Sequence, residues 1–587
     1  MIDILLKNGT VIDGKGNKPE RKDVAVSNGI ITEIGDCIDS TAKHFIDAAG
    51  LCITPGFIDI HTHSDLTLLV DPYGKSKLMQ GVTTEVCGNC GLTAFPLADE
   101  ERRSSLSFID VPGLDWSWNN TESYITEQLK TDTAINRLQL VGFGSIRAQI
   151  MGYENRVASP SEVAEMQSIL QECFDRGLWG LSIGLGYAPD FYSDTDELKK
   201  MAETVKRNNG IFSFHVRGER DTLFKAIDEV IEIAETGVNA EISHLKCAHP
   251  SNNGRMKELI EKIRQARDYG LNVNFDQYPY TAGNSYLGLL FPPYVHENGI
   301  EGLVKMLSDS IARERIKQEM MEGKDNWCSF LRYGKGRNLV ISNVPDKYCI
   351  YLGKTLSDIA VEMKVEVAEA ACILFEQTEG KTEMLMFQQL DDDLEYAMRQ
   401  SFGLFGSDGF AMDEGKLIHK GRPHPRSFGT FPRIISHYVY GKKVITMEEA
   451  IARMTGRTAA KLGLSDRGLI APGYKADITV FDPEMIKDNA TYDEPMKYSS
   501  GNESPRPKGR GIRARLSILY RFWLIRQNLT QAGSRTVSCT RPLPSPDSVC
   551  ISLSYPYSHT VPRCLHNSPM SINSLPIILP SSGRGVP

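Results

Sequence analysis

Two textures of hydrophobic and polar residues divide the chain. Over residues 1–55, short apolar runs alternate with turn signals. Residues 3–7 lead into Asn8-Gly9, and runs at 24–26 and 30–34 flank Ser27-Asn28-Gly29. Asn-Gly beside alternating hydrophobics predicts a hairpin at each place, so this stretch is expected to be a small β unit. From Pro55 the texture changes. Short apolar strands are predicted at 57–60, 83–87, 138–141, 180–183, 211–214, 240–243, 272–276 and 402–406, with helical patterns between them, as at 161–176, 195–208, 221–236 and 256–269. Strands alternating with helices predict a parallel sheet. Eight of them predict a closed (β/α)8 barrel of the TIM type, over about 56–440, with an open doubly wound sheet as the structural alternative. The stretch 280–400 carries helical patterns of its own, at 356–363 and 367–378, and reads as an insertion or lid over the barrel mouth. A closing helix at 446–463 is followed by strand-and-turn text at 468–481. That text rejoins the N-terminal unit, so the small β-sandwich domain is built from residues 1–55 and 441–500. No internal repeat is visible.

Bulk composition narrows the class. A chain of 587 residues exceeds one ordinary core, and its 41% hydrophobic and 24% charged residues suit a globular protein. It has no apolar run of eighteen residues and no basic, apolar leader, so neither a membrane span nor a signal peptide is expected, and a cytoplasmic location is the expectation. Twelve irregularly spaced cysteines point to reduced thiols, some of them available to a metal. The net charge of −8 is uneven. Residues 501–587 hold eleven Lys and Arg against Glu503 and Asp547, which is +9 and leaves −17 on residues 1–500. That tail, rich in Arg, Ser and Pro, has no sustained strand or helix period. We read 502–587 as unselected sequence, as from a frameshift or an insertion, expected to be disordered. No nucleic-acid partner is inferred from its charge.

Catalytic residues of a (β/α)8 barrel sit at the carboxyl ends of its strands. His61 and His63 follow the first predicted strand, two residues apart and so on one side of an extended chain. Cys90 follows the second, in Gly88-Asn89-Cys90-Gly91. His215 ends the fifth, His244 the sixth and Asp408 the eighth. Each alone has an ordinary reading: a packed histidine, a Cys87-x-x-Cys90 redox pair, or a Ser-Asp-Gly turn. Together they converge on one face, and all are good zinc ligands.

These stretches resemble the amidohydrolase superfamily, and within it the D-aminoacylase (N-acyl-D-amino-acid deacylase) family. The likeness covers about residues 1–500. It rests on Pro55-Gly56-Phe57-Ile58-Asp59-Ile60-His61-Thr62-His63, on Gly88-Asn89-Cys90-Gly91, on Asp276-Gln277-Tyr278-Pro279-Tyr280 and on Gly406-Ser407-Asp408-Gly409. It also includes 423–433, with His424-Pro425-Arg426 and Gly429-Thr430-Phe431-Pro432-Arg433. The resemblance implies a zinc-dependent hydrolase of linear amides that acts on small N-acyl-D-amino acids. It implies that Cys90 takes a bridging position, that Cys90, His215 and His244 hold the tighter zinc, and that His61, His63 and Asp408 line a second, weaker site. Asp408 would be the catalytic proton carrier. Lys246, Tyr280 and Arg426 would bind substrate, with Tyr278 the alternative to Tyr280 and Arg426 suited to an α-carboxylate. Two other readings are carried: a cyclic-amide hydrolase of the dihydroorotase or hydantoinase kind, and a non-catalytic metal-binding descendant. The sequence departs from the family pattern in a longer loop at 409–421 and in the tail.

Overall fold

In the computed structural model the described residues are 2–97, 111, 113–248, 250–324, 327–413 and 421–500. The tail at 502–587 and most of the long loop at 409–421 lie outside them.

Five strands form the N-terminal unit: β1 (Ile2–Val11), β2 (Glu20–Ser27), β3 (Ile30–Gly35), β4 (Ala42–Asp47) and β5 (Cys52–Pro55). The long β1 pairs with β2 along one edge, and with β4 and then β5 along the other. Ser27-Asn28-Gly29 does turn β2 into β3, with Asn28 and Gly29 at φ 53° and 72°. Asn8-Gly9 does not make a hairpin. β1 runs through it as a bulge between Leu6 and Gly9, with Asn8 at φ 63°. The reason is packing: a Cβ on Gly9 would lie 2.3 Å from Ile53 Cδ1, so glycine serves close approach here and not a turn.

The barrel follows. Its strands are β6 (Phe57–Asp59), β7 (Val82–Cys87), β8 (Asn136–Gly142), β9 (Gly180–Gly184), β10 (Ile211–His215), β11 (Asn239–Ile242) and β12 (Val273–Gln277). The chain then leaves the barrel for an excursion containing β13 (Ala282–Tyr286), β14 (Leu339–Asn343) and β15 (Glu383–Phe387), an antiparallel three-stranded sheet with its own apolar core. Two of the excursion's helices, Leu356–Met363 and Val367–Gln377, are the ones the sequence predicts; this sheet is not predicted. β16 (Gly403–Phe405) returns as the eighth barrel strand. Sheet order runs from β6 through β12 to β16, every pair parallel. Closure falls just past β6 and β16, where Asp408 N donates to His61 O (2.8 Å) and His63 N to Gly409 O (3.0 Å). Inside the closure, Lys77 Nζ donates to Asp59 Oδ2 (2.7 Å) and Ser407 Oγ (2.6 Å), so one buried ammonium ties the two strands together.

Outer helices bury one stripe each, at the i, i+3, i+4 spacing the sequence shows. Helix Thr195–Arg207 buries Leu198, Met201, Ala202 and Val205, and helix Leu223–Ala234 buries Ile227, Val230 and Ile233. The expected single closing helix is two, Met447–Met454 and Gly456–Lys461. Thr455 breaks it at φ −138°, ψ −91°, and a Cβ on Gly456 would lie 2.3 Å from Gly14 O, so the bend lets two backbones meet. β17 (Ile478–Phe481) then pairs antiparallel with β5, and Ile478 and Val480 pack with Ile4, Leu6, Val24 and Ile53. Among the described residues no helix is long and apolar enough to cross a membrane, and every cysteine is a free thiol.

Candidate metal centre

Six side chains meet where β6, β7, β10, β11 and β16 end. The ligand atoms of His61, His63, Cys90 and Asp408 lie within 4.8 Å of one another, as do those of Cys90, His215 and His244. Cys90 belongs to both groups. Its Sγ is 3.5 Å from His61 Nε2 and 3.4 Å from His244 Nε2. Asp408 Oδ1 is 2.9 Å from His63 Nε2 and 3.5 Å from His61 Nε2, while its Oδ2 is 2.7 Å from Arg426 Nη1.

Local structure explains how Cys90 reaches this point. It follows β7 in a turn at φ 57°, with Gly88 and Gly91 also left-handed. A Cβ on Gly91 would lie 2.2 Å from Asp190 Oδ2 and 2.5 Å from Gly184 N, so glycine is required there. Asn89 anchors the turn, donating from Nδ2 to Val86 O (3.0 Å) and accepting from Ser213 Oγ (3.1 Å).

The electrostatics place two anionic groups among these histidines. Burial pushes the Cys90 thiol up, but the surrounding His61, His244 and His215 outweigh it and hold the group well below its ordinary range. Burial likewise opposes ionisation of Asp408, and Arg426, His61 and His63 overcome it, so the carboxyl stays well below the usual carboxylate range. His63 is pulled down by burial and raised more strongly by Asp408 and Cys90, to about 9. His215 keeps a buried Nδ1 with no partner.

Carboxylates that the sequence reading passed over hold the histidines. Asp276 Oδ2 is 3.2 Å from His61 Nδ1, and its Oδ1 accepts from His244 N (3.0 Å). Glu219 Oε1 is 3.2 Å from His244 Nδ1 and pairs closely with Lys246, whose Nζ is 2.8 Å from His244 Nδ1. Carboxylates orienting ligand histidines in this way are usual around metals. Asp276 could have been suspected from its place at a strand end. Glu219 sits in a loop and carries no such signal.

Lys246 and Arg426 line the cavity that opens over these six side chains; Tyr280 does not. Tyr278 takes the cavity position expected of Tyr280, with Arg426 5.0 Å and Lys246 5.9 Å from its ring centre. The chain leaves β12 at Gln277 and bends at Pro279, whose carbonyl accepts from Arg433 Nε (2.8 Å), and Tyr280 goes instead beneath Arg433 and beside His424.

Comparison with known proteins identifies the family. The profile of the Amidohydrolase family matches residues 44–270 and 421–501. The chain is 32% identical to a D-aminoacylase of Alcaligenes xylosoxydans xylosoxydans over 507 residues, 86% of this chain and 92% of that one. It is 30% identical to an N-acyl-D-aspartate deacylase of the same organism, over 87% and 92%. Its structure resembles that of an N-acyl-D-glutamate deacylase from Bordetella bronchiseptica in complex with zinc and a phosphonate mimic of the tetrahedral intermediate. There the TM-score is 0.72 at 29% identity, covering 85% of this chain and 94% of that one. The chain therefore belongs to the D-aminoacylase group of the amidohydrolase family.

Proposed function

We propose that this chain uses zinc to hydrolyse the amide bond of N-acyl-D-amino acids, giving a carboxylate and a free D-amino acid. The observation that carries the reading is the pair of ligand groups sharing Cys90, with the guanidinium of Arg426 beside Asp408 in the same cavity.

The donors suit zinc. From usual bond lengths, a thiolate and an imidazole on one tetrahedral zinc lie about 3.6 Å apart. The two Cys90–histidine separations of 3.4 and 3.5 Å match that. The bare, buried Nδ1 of His215 is a further polar atom in want of a partner. Cys90, His215 and His244 would hold the tighter ion, and His61, His63 and Asp408 a second, weaker one. Zinc bound there polarises the scissile carbonyl and brings the acidity of water near neutrality.

The remaining steps belong to the chain's own groups. Asp408 is ionised and faces the ligand histidines, so its carboxylate can accept the proton of the attacking water and pass it to the departing amine. Arg426 borders the cavity at the first turn of helix Arg426–Arg433, where a planar guanidinium can grip an α-carboxylate with two parallel hydrogen bonds. Lys246 and Tyr278 border the same space and add donors to that grip. The preference for the D configuration rests on family membership.

The test is metal analysis together with amine release from N-acetyl-D-methionine and N-acetyl-D-glutamate, with the L forms and dihydroorotate as controls. Release from the D forms, with bound zinc, is expected. Ring opening of dihydroorotate without release from either D substrate sinks the reading in favour of a cyclic-amide hydrolase. Bound zinc with no turnover at all identifies a non-catalytic metal protein.

A further inference from the structure

A further guanidinium borders the cavity, and among the described residues it forms no ion pair. Arg220 follows β10 in the loop that carries Glu219, and is 7% exposed. Its Nη2 donates to Gln388 Oε1, and its guanidinium carbon lies 3.3 Å from the centre of the Phe330 ring. Among the described residues it forms no ion pair, and its Nε and Nη1 have no hydrogen-bond partner. The other cations of this wall are all matched: Arg217 to Glu229 (2.9 Å), Arg426 to Asp408 (2.7 Å) and Lys246 to Glu219. Gln388 is in the same position. It lines the cavity at 9% exposure, and its buried Nε2 donates to nothing.

A buried cation without an ion-pair partner is costly, and so is a buried amide N–H left unmade. Burial draws Arg220 down to about 10, which still leaves it charged at neutral pH. Trp327, Phe330, Tyr286 and Met386 add apolar wall to the same cavity. An anion entering there would find a guanidinium and an amide N–H converging in low-dielectric surroundings, where charge-assisted hydrogen bonds are strong. Arg426 has different neighbours, Asp408 and Tyr278.

We propose that Arg220 and Gln388 form a second anion subsite, so that the preferred substrate is an N-acyl-D-amino acid bearing another carboxylate besides its α-carboxylate. This rests on the deacylase reading above. The extra carboxylate can come from the amino-acid side chain, as in a D-glutamate derivative, or from the acyl group, as in a succinyl amide. The chemistry at Arg220 is the same.

The experiment uses the zinc-loaded full chain and measures kcat/KM for four substrates: N-acetyl-D-glutamate, its neutral isostere N-acetyl-D-glutamine, N-succinyl-D-methionine and N-acetyl-D-methionine. One diacid is expected to exceed its neutral counterpart by about tenfold or more, as when a site built for a polar group rejects the analogue lacking it. The glutamate arm assigns the carboxylate to the side chain, the succinyl arm to the acyl group. In Arg220→Met that preference should collapse to within about twofold through a raised KM for the diacid, and Arg220→Lys should retain part of it. Melting temperatures report whether the variants fold. If Arg220→Met does not, Gln388→Leu is read in the same way. Neutral substrates matching both diacids in the unaltered protein overturn the proposal, as does a variant that slows all four substrates equally. No turnover of any of the four overturns the deacylase reading instead, and the subsite with it.

Discussion

Cys90, His244 and Asp408 all have left-handed backbones, at φ 57°, 37° and 52°. For non-glycine residues such conformations cost on the order of 1–3 kcal/mol each, and they persist where surrounding structure holds them. Here that structure is visible: Asp408 N donates to His61 O, and His244 N to Asp276 Oδ1. Asp408→Asn should preserve this backbone, since asparagine tolerates the left-handed region, while abolishing the proton-accepting carboxylate. We expect kcat to fall by about 10³-fold with the tighter zinc still bound, measured by turnover and metal content on the same sample. Activity within tenfold of the unaltered protein would remove Asp408 from proton transfer. Tyr278→Phe should raise KM by about tenfold through loss of one hydrogen bond to a charged substrate, whereas Tyr280→Phe should leave KM within about twofold. The reverse order would return the role to Tyr280. The convergence of the six side chains was legible because each lies at or just past the end of a short buried strand, so one-dimensional spacing carried it. The tyrosine was not, because the bend at Pro279 decides which ring faces the cavity. Glu219, Arg220 and Gln388 were not, because they act through contacts made by loops and by the excursion.

At the scale of elements, the Cys90 turn rests on the loop after β9. Asp190 in that loop accepts from Gly184 N through Oδ2 (2.7 Å), packs against Gly91, and leaves Oδ1 buried without a partner. Burial raises its pKa to about 8, with the Gly184 hydrogen bond and Arg147 only partly offsetting. An unfolded aspartate titrates near 3.9. The folded state therefore keeps a proton that the unfolded state has released, and stability falls as pH rises from about 4 to about 8, then levels off. Asp190→Asn should remove this contribution. In denaturant unfolding at pH 5, 7 and 9, the variant should gain on the unaltered protein by on the order of a few kcal/mol between pH 5 and 9. Parallel profiles would place the proton elsewhere. The barrel strands themselves were readable to within two residues at either end, because they are short, almost wholly buried runs set between amphipathic helices. The three strands of the excursion sheet were not, since Ala282–Tyr286 is largely polar and its partner β15 comes from about 100 residues away. Asn8-Gly9 shows the opposite failure: a strong local turn signal overridden by the side chain of Ile53 packing against it.

At the scale of the whole molecule, the weakest seam of the barrel is its closure. β6 and β16 are three residues each, and the hydrogen bonds that join their ends lie in the very segments that carry His61, His63 and Asp408. Below them Lys77 supplies the only buried ammonium bridging Asp59 to Ser407 among the described residues. A metal held by His61, His63, Cys90 and Asp408 would therefore join β6, β7 and β16 across the seam, and the Cys90–His215–His244 group would extend that tie to β10 and β11. Without it, a buried thiolate, a buried carboxylate and four imidazoles are left to neutralise one another. Binding that favours only the folded state adds about 4 kcal/mol when the free ligand exceeds its dissociation constant a thousandfold. Removal of metal by a chelator should therefore lower the melting temperature along with activity, and added zinc should restore both. Hydrogen exchange should locate the effect, with protection lost first in β6 and β16 and least in β8 and β9, which offer no ligand. A uniform loss of protection around all eight strands, or an unchanged melting temperature in a metal-free sample, would show that the centre serves chemistry alone and that the barrel closes without it.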